Sequence, residues 1–290
     1  MGTSTSNKGG RSGSPFDPEW LAGDIDTGGN ADGSNGGSDD ESGVSGLPSS
    51  EDPADNTTQV DSNNSDNGEA SFLAPERRFA PARLKMSGYL RGAGRDALHA
   101  AAQSMIRKGM GGPRRAASTM RRTAQGAGQL AQFLAAARDG SDAQVTDWVQ
   151  RVRSTGLSAS DLILEIVRQV LPDIGSVDDD SLRNAAVDAL GKLYESNIDV
   201  DIFDLTDQQI FDVIGYVVAN DVCNRMDLQL GQTYERLKHS PQEIQMYRND
   251  MKEWVHEEVR SVMDQYRNVR LDPLKLASKV LGSAMEVFAE

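Results

Sequence analysis

The stretch Asp272-Pro273-Leu274-Lys275-Leu276-Ala277-Ser278-Lys279-Val280-Leu281-Gly282-Ser283-Ala284-Met285-Glu286-Val287-Phe288 decides the fold. Asp followed by Pro opens a helix, because the carboxylate caps free N–H groups and proline fits the first turn. Leu274, Ala277, Leu281, Ala284 and Phe288 then recur at alternating steps of three and four, the spacing of one helix face. The same grammar runs backwards along the chain. Ser240-Pro241-Gln242-Glu243 is a cap, a first-turn proline and an acid at the capping-box position. The helix it starts presents Tyr247, Met251, Val255, Val259, Val262 and Tyr266. Thr206 caps a long helix with Ile210, Phe211, Ile214, Val217, Val218 and Val222 on one face. Asp178, Asp179 and Asp180 sit in the first turn of another, running to about Glu195, where carboxylates meet the positive dipole end. Ser158 caps a helix over 159–171 that stops at Pro172. No β-type alternation competes, so residues 141–290 are expected to form an all-α helical bundle domain.

Towards the N-terminus the chain changes character. The 290 residues carry a net charge of −14, with 38% hydrophobic and 6% aromatic residues, low for a fully packed chain. Residues 1–70 hold Lys8 and Arg11 against fourteen acids, a net −12. Residues 71–138 hold thirteen bases against Glu76 and Asp96, a net +11, and the remainder carries −13. A basic segment thus lies between two acidic ones. Between Leu21 and Ser71 the larger aliphatics are Ile25, Val44, Leu47 and Val60, and there is no aromatic. Such a stretch cannot offset its chain entropy by burial. The expected organisation is an N-terminal recognition peptide at 1–21, a disordered acidic Gly/Ser-rich tether at 22–75, a basic helical arm at 76–140 and the bundle at 141–290.

In the arm, Ser87 is expected to cap a helix to about Lys108, with Leu90, Ala97, Leu98, Ala101, Met105 and Ile106 inward. Gly109-Met110-Gly111-Gly112 breaks it. Pro113 starts a second helix presenting Met120, Ala124, Ala127, Leu130, Ala131 and Leu134 and stopping near Gly140. Faces of Ala and Gly bury little area, so this pair needs a partner surface.

Little in the sequence carries chemistry. One cysteine excludes a disulfide framework and a thiolate zinc site built by this chain alone. Cys223 reads as a buried inert thiol. His99, His239 and His256 lack metal-ligand spacing or a nucleophile companion and read as surface helix residues. Asp199, Asp201, Asp204 and Asp207 fit no EF-hand frame and read as a solvated loop before the Thr206 cap. No metal or catalytic site is expected, and an enzyme is the disfavoured class. The start lacks a signal-peptide pattern, and apolar runs such as Val213 to Ala219 are too short to cross a bilayer. A soluble, cytoplasmic protein is the expectation.

Two features remain as candidate sites. Arg107, Lys108, Gly111, Gly112, Arg114, Arg115, Arg121 and Arg122 collect cations and a glycine turn where phosphate or nucleic acid would bind. Only Phe79 and Tyr89 are nearby to stack bases, so base recognition is poorly supported. A hinge between helices is the plainer reading of the glycines, and docking on an acidic partner or on the chain's own acidic bundle is another use of the cations. The second feature is Met1-Gly2. Loss of Met1 leaves a glycine amine with an ordinary pKa of about 7.7–8.0, partly neutral and nucleophilic near neutral pH. Gly2 with Ser6 also fits the N-myristoylation pattern, but the acidic stretch that follows supplies no polybasic second anchor.

These ends resemble a known family. Met1-Gly2-Thr3-Ser4-Thr5-Ser6, Gly9, Gly10, Gly13, Ser14-Pro15 and Trp20 look like the start of QatB proteins, components of bacterial Qat anti-phage defence systems. Ile106-Arg107-Lys108-Gly109-Met110-Gly111-Gly112-Pro113-Arg114-Arg115-Ala116-Ala117 resembles a second block of that family, with Met110 where a small polar residue is expected. The resemblance implies partners rather than an activity: a QueC-like (QatC-type) protein foremost, with an ATPase and a TatD-like nuclease in the same system. ATP, zinc and a deazaguanine would belong to the QueC-like partner, and no cofactor to this chain. It further implies that Gly2 is a modification acceptor, with Thr3, Ser4, Thr5 and Ser6 lying in the partner's cleft and Phe16, Trp20 and Leu21 anchoring outside it.

Overall fold

The computed structural model describes residues 77–171 and 175–290. Among them are eleven α-helices and no strand. They are α1 (Ala80–Gly88), α2 (Arg95–Ser104), α3 (Pro113–Thr119), α4 (Arg121–Asp139), α5 (Ala143–Thr155), α6 (Ala159–Val170), α7 (Val177–Ser196), α8 (Asp207–Leu230), α9 (Gln232–Leu237), α10 (Pro241–Tyr266) and α11 (Pro273–Val287). The described residues belong to one compact unit, residues 75–290. The fold is all-α, as the spacing requires.

The helix starts follow the capping chemistry. Ser158, Ser176, Thr206 and Ser240 each accept a backbone N–H of the helix they open, and Asp272 does so for Leu274 and Lys275. Three of these are reciprocal capping boxes, Ser176 with Asp179, Thr206 with Gln209 and Ser240 with Glu243. Helices α4 and α5 end at Gly140 and Gly156, both left-handed, where glycine escapes the Cβ clash.

Helix α8 organises the bundle. It packs against α4, α7, α10 and α11. The sequence suggests a single apolar face, but α8 is buried nearly all round. Val213, Ala219, Asn220, Asp221 and Cys223 are inside together with Ile210, Ile214, Val217, Val218 and Val222. A helix covered on every side is a central one. Phe211, expected on the inner face, is only half-buried.

The basic segment is built into this bundle. Met120, Ala124, Ala127, Leu130, Ala131 and Leu134 are all buried, and the surface they meet is α8 and α11. Close approach comes from glycine: a Cβ at Gly128 would lie 2.7 Å from the Cα of Leu274, and one at Gly126 2.6 Å from the Cδ2 of Leu182. Residues on both sides of Gly140 therefore share one core, and Gly140 is a helix stop within it.

Several local expectations are corrected. Ser87 caps nothing: it lies in the last turn of α1, and its hydroxyl donates to the carbonyl of Arg83 at 3.0 Å. The helix expected from Ser87 is two helices, interrupted where Gly92 and Gly94 take φ of 91° and 79°. The face predicted for it is nevertheless inside, with Leu90, Leu98, Ala101, Met105 and Ile106 buried and Ala97 half-buried. A π-helical turn at Met105–Gly109 absorbs an extra residue, whereas Tyr89–Ala93 is a kink whose Gly92 is not helical. Helices α5 and α9 add to the elements expected, and a break at Met120 separates α3 from α4 where one helix is expected.

Candidate functional site

The turn at Gly109–Gly112 is closed by its own backbone. The N–H of Met110 donates to Met105 at 2.8 Å and that of Gly112 to Ile106 at 2.9 Å. Gly111 and Gly112 have φ of 78° and 99°, a conformation that suits glycine. A Cβ at Gly109 would overlap the Phe79 ring, so glycine there lets α1 lock onto the turn. The side chain of Arg115 folds back with its Cδ 2.9 Å from where a Gly111 Cβ would be. With the Met110 and Gly112 donors already used, this turn is a connection between helices.

The basic side chains divide into spent and unspent cations. Arg122 donates to Asp179 of α7 at 2.6 Å and to Ser176. Burial acts to raise the Asp179 carboxyl, but hydrogen bonds from Ser176 and Arg122 bring it below the ordinary value. Arg95 reaches across to Asp250, Glu253 and Glu257 on α10. Arg138 pairs with Asp139 and Asp207. Arg107 donates through Nε to the carbonyl of Ala289. Lys108, Arg114, Arg115 and Arg121 are exposed and form no ion pair among the described residues. Burial lowers the pKa of Arg78, and the charges of Arg115 and Arg225 lower it further, so positive charge accumulates on this side. Part of the basic segment therefore docks on the chain's own acidic helices.

Neither stacking candidate is available. Phe79 is 9% exposed and covered by Arg78, whose guanidinium lies 4.8 Å from the ring centre. Tyr89 is 5% exposed, meets Tyr247 edge-on and donates its hydroxyl to Asp250. Gly2, Thr3, Ser4, Thr5, Ser6, Phe16, Trp20 and Leu21 lie outside the described residues.

A second site is not legible in the sequence. Helices α6, α7, α8 and α10 line a groove of about 690 Å³, with Ile163, Leu164, Gly191, Tyr216, His256 and Arg260 on its walls. His256 is half-buried and not the surface residue expected. Its Nε2 lies 2.9 Å from the Oδ1 of Asn220, a residue 4% exposed on α8. The Asn220 amide donates to the carbonyl of Ala185, so its oxygen must accept from His256. That fixes the proton on Nε2 and leaves the Nδ1 lone pair without a protein donor. Burial first, then the charges of Lys252, Arg260 and Lys192, push the imidazole down to about 4, so it is neutral at pH 7. Lys252 and Lys192 are held by Asp188 and Glu195.

Other polar groups are structural. Asp221, 5% exposed, accepts hydroxyls from Thr123 of α4 and Ser181 of α7, and burial raises its pKa. Burial likewise pushes the Cys223 thiol up to about 12, as an inert buried thiol should behave. The aspartates before α8 serve locally: Asp201 accepts the N–H of Phe203 and pairs with Arg153. Among the described residues no group of three or more His, Cys, Asp or Glu is placed to hold a metal ion. No helix there is long and apolar enough to cross a membrane.

Comparison with known proteins adds one finding. No curated protein and no solved structure matches the chain. A family model described as "Qat anti-phage system associated protein QatB" matches residues 111–286. The match begins within the glycine turn, extends across Gly140 and ends in α11, so it takes in residues on both sides of Gly140 that share the core. Covering more than half of the sequence, it places the chain in the QatB family of Qat anti-phage defence system components.

Proposed function

We propose that this chain is a non-catalytic adaptor of its defence system, binding a QueC-like enzyme and presenting Gly2 for covalent modification. The observation that carries the reading is the start of the sequence, Met1-Gly2-Thr3-Ser4-Thr5-Ser6. Removal of Met1 leaves an unhindered amine followed by small side chains, which an extended cleft accepts without clash. QueC-type enzymes activate a deazaguanine carboxylate with ATP and let an amine attack it. Here the Gly2 nitrogen attacks the activated carbonyl carbon. A C–N amide bond forms, the activating group leaves, and the amine proton passes to solvent. Thr3, Ser4, Thr5 and Ser6 occupy the partner's cleft, and Phe16, Trp20 and Leu21 anchor beside it. The helical body holds the tail at a raised effective concentration by docking on the same partner. Family membership supports a place among the system's components; in this reading its ATPase and TatD-like nuclease are further partners. The setting is the bacterial cytoplasm.

The test is the intact mass and N-terminal peptide mass of the protein expressed with and without the QueC-like neighbour. A mass gain confined to the peptide beginning at Gly2, and only with the partner, is expected. Gly2→Trp should abolish it and leave the helical body folded. Unchanged modification of that variant would falsify the acceptor assignment.

One observation favours a second reading, a nucleic-acid adaptor. Lys108, Arg114, Arg115 and Arg121 are exposed without carboxylate partners. Binding by such a patch weakens steeply with salt, because each phosphate it neutralises on B-DNA adds about 0.9 to the slope of log affinity against log salt. Replacing Arg114, Arg115 and Arg121 together should remove it, and no binding at low salt rejects this reading.

A further inference from the structure

The groove between α6, α7, α8 and α10 has the makings of a ligand site independent of Gly2. Its volume, about 690 Å³, falls in the range of roughly 300–1,000 Å³ typical of small-molecule sites. Several of its polar groups are unspent. The hydroxyls of Ser160 and Tyr216 and the guanidinium of Arg260 form no hydrogen bond or ion pair among the described residues. Arg248 on the same helix and Arg267 just past its end are each paired, with Asp227 and Asp264. His256 offers an acceptor, Nδ1, held in place by the buried Asn220 behind it. Apolar contact comes from Ile163 and Leu164, the latter 42% exposed on the rim. The Tyr216 ring lies 6.0 Å from the His256 ring, centre to centre.

A fixed neutral acceptor calls for a ligand with an N–H or O–H donor. A tyrosine and aliphatic side chains lining one groove suit a flat ring, and an unpaired guanidinium suits an anion. Of the charged side chains lining the groove, Lys192 is paired with Glu195, Lys252 with Asp188 and Glu253 with Arg95, which leaves Arg260. We propose that this groove binds a planar heterocycle carrying a ring N–H and one anionic group, the chemistry of a nucleoside monophosphate. The ring lies against Tyr216, Ile163 and Leu164, its N–H donates to the Nδ1 of His256, and the anion meets Arg260.

Gly191 supplies the clean test. It lines the groove in the middle of α7, and a Cβ built there meets nothing within 4 Å. Gly191→Leu therefore fills the groove and improves helix propensity. The full chain is titrated calorimetrically with UMP, GMP and inorganic phosphate at low salt. Expected are dissociation constants below about 1 mM for UMP or GMP, phosphate weaker by roughly tenfold or more, and affinity reduced by roughly fivefold or more in Gly191→Leu and Arg260→Ala. Tyr216→Phe, which keeps the ring, should retain most of the affinity, while Tyr216→Ala should not. Thermal unfolding of each variant shows whether it is folded. No heat with either nucleotide, phosphate binding as tightly as the nucleotides, or full affinity in folded Gly191→Leu would each overturn the proposal.

Discussion

His256 shows how much one hydrogen bond can set. The buried Asn220 carbonyl oxygen holds its Nε2 proton, and the ring sits in a field made by Lys192, Lys252 and Arg260 with Asp188 in opposition. Its pKa is near 4 in the fold against an ordinary 6.5. Between those values the unfolded chain binds the proton more readily, so this residue makes stability fall as pH drops from 6.5 towards 4. His256→Gln keeps a donor for Asn220 and cannot be protonated. Its urea midpoint should fall less than the parent's between pH 7 and pH 5; equal slopes would show that the imidazole does not titrate this way. Asp221 is the opposite case, a buried carboxylate joining α4, α7 and α8 through Thr123 and Ser181. Thr123→Val takes away one donor and should cost about 1–3 kcal/mol of unfolding free energy. Neither role is legible in the sequence. His256 and Asn220 are 36 positions apart and meet only because α8 and α10 cross there. Sequence spacing reports one helix at a time.

At the scale of the element, the two glycines Gly128 and Gly191 make opposite forecasts. Gly128 faces the backbone of Leu274, which cannot rotate away, so Gly128→Ala pushes α4 off α11 at a cost of about 1–3 kcal/mol. Gly191→Ala meets no obstacle and removes a flexible residue from mid-helix, a gain of about 0.5–1 kcal/mol. Thermal denaturation of the pair should move the midpoint in opposite directions. Caps and steps of three and four read well from sequence, and α6, α7, α8, α10 and α11 start where side-chain oxygens meet free N–H groups. Helix α5, not among the helices expected, carries comparable signals, an Asp142 cap, buried Trp148, Val149 and Val152, and Gly156 after its end. The kink before α2 is marked by Gly92 and Gly94, but the π-helical turn at Met105–Gly109 leaves no such trace. One extra residue in a turn has no composition of its own, and only packing of Met105 and Ile106 selects it.

For the whole molecule, the decisive fact is that the basic segment supplies part of the core. Its cations are visible in the sequence as a charge block, but not which of them turn inward. Arg95, Arg122 and Arg138 bind the acids of α10, α7 and α8, Arg83 and Arg107 donate to the carbonyls of Gln229 and Ala289, and Lys108, Arg114, Arg115 and Arg121 are exposed. A fragment of residues 141–290 loses α4 from between α8 and α11. It should therefore lack a cooperative unfolding transition, whereas residues 77–290 should show one; a stable 141–290 fragment would separate what the shared core joins. The encirclement of α8 has a temporal consequence as well. Its amides from Val213 to Val222 sit beneath four helices and have no local route to solvent, so their deuterium uptake should wait for global unfolding. The six-residue α9, with Glu235 and Arg236 exposed, should exchange much sooner, and the difference in protection between the two would measure how tightly the centre of the bundle is clasped.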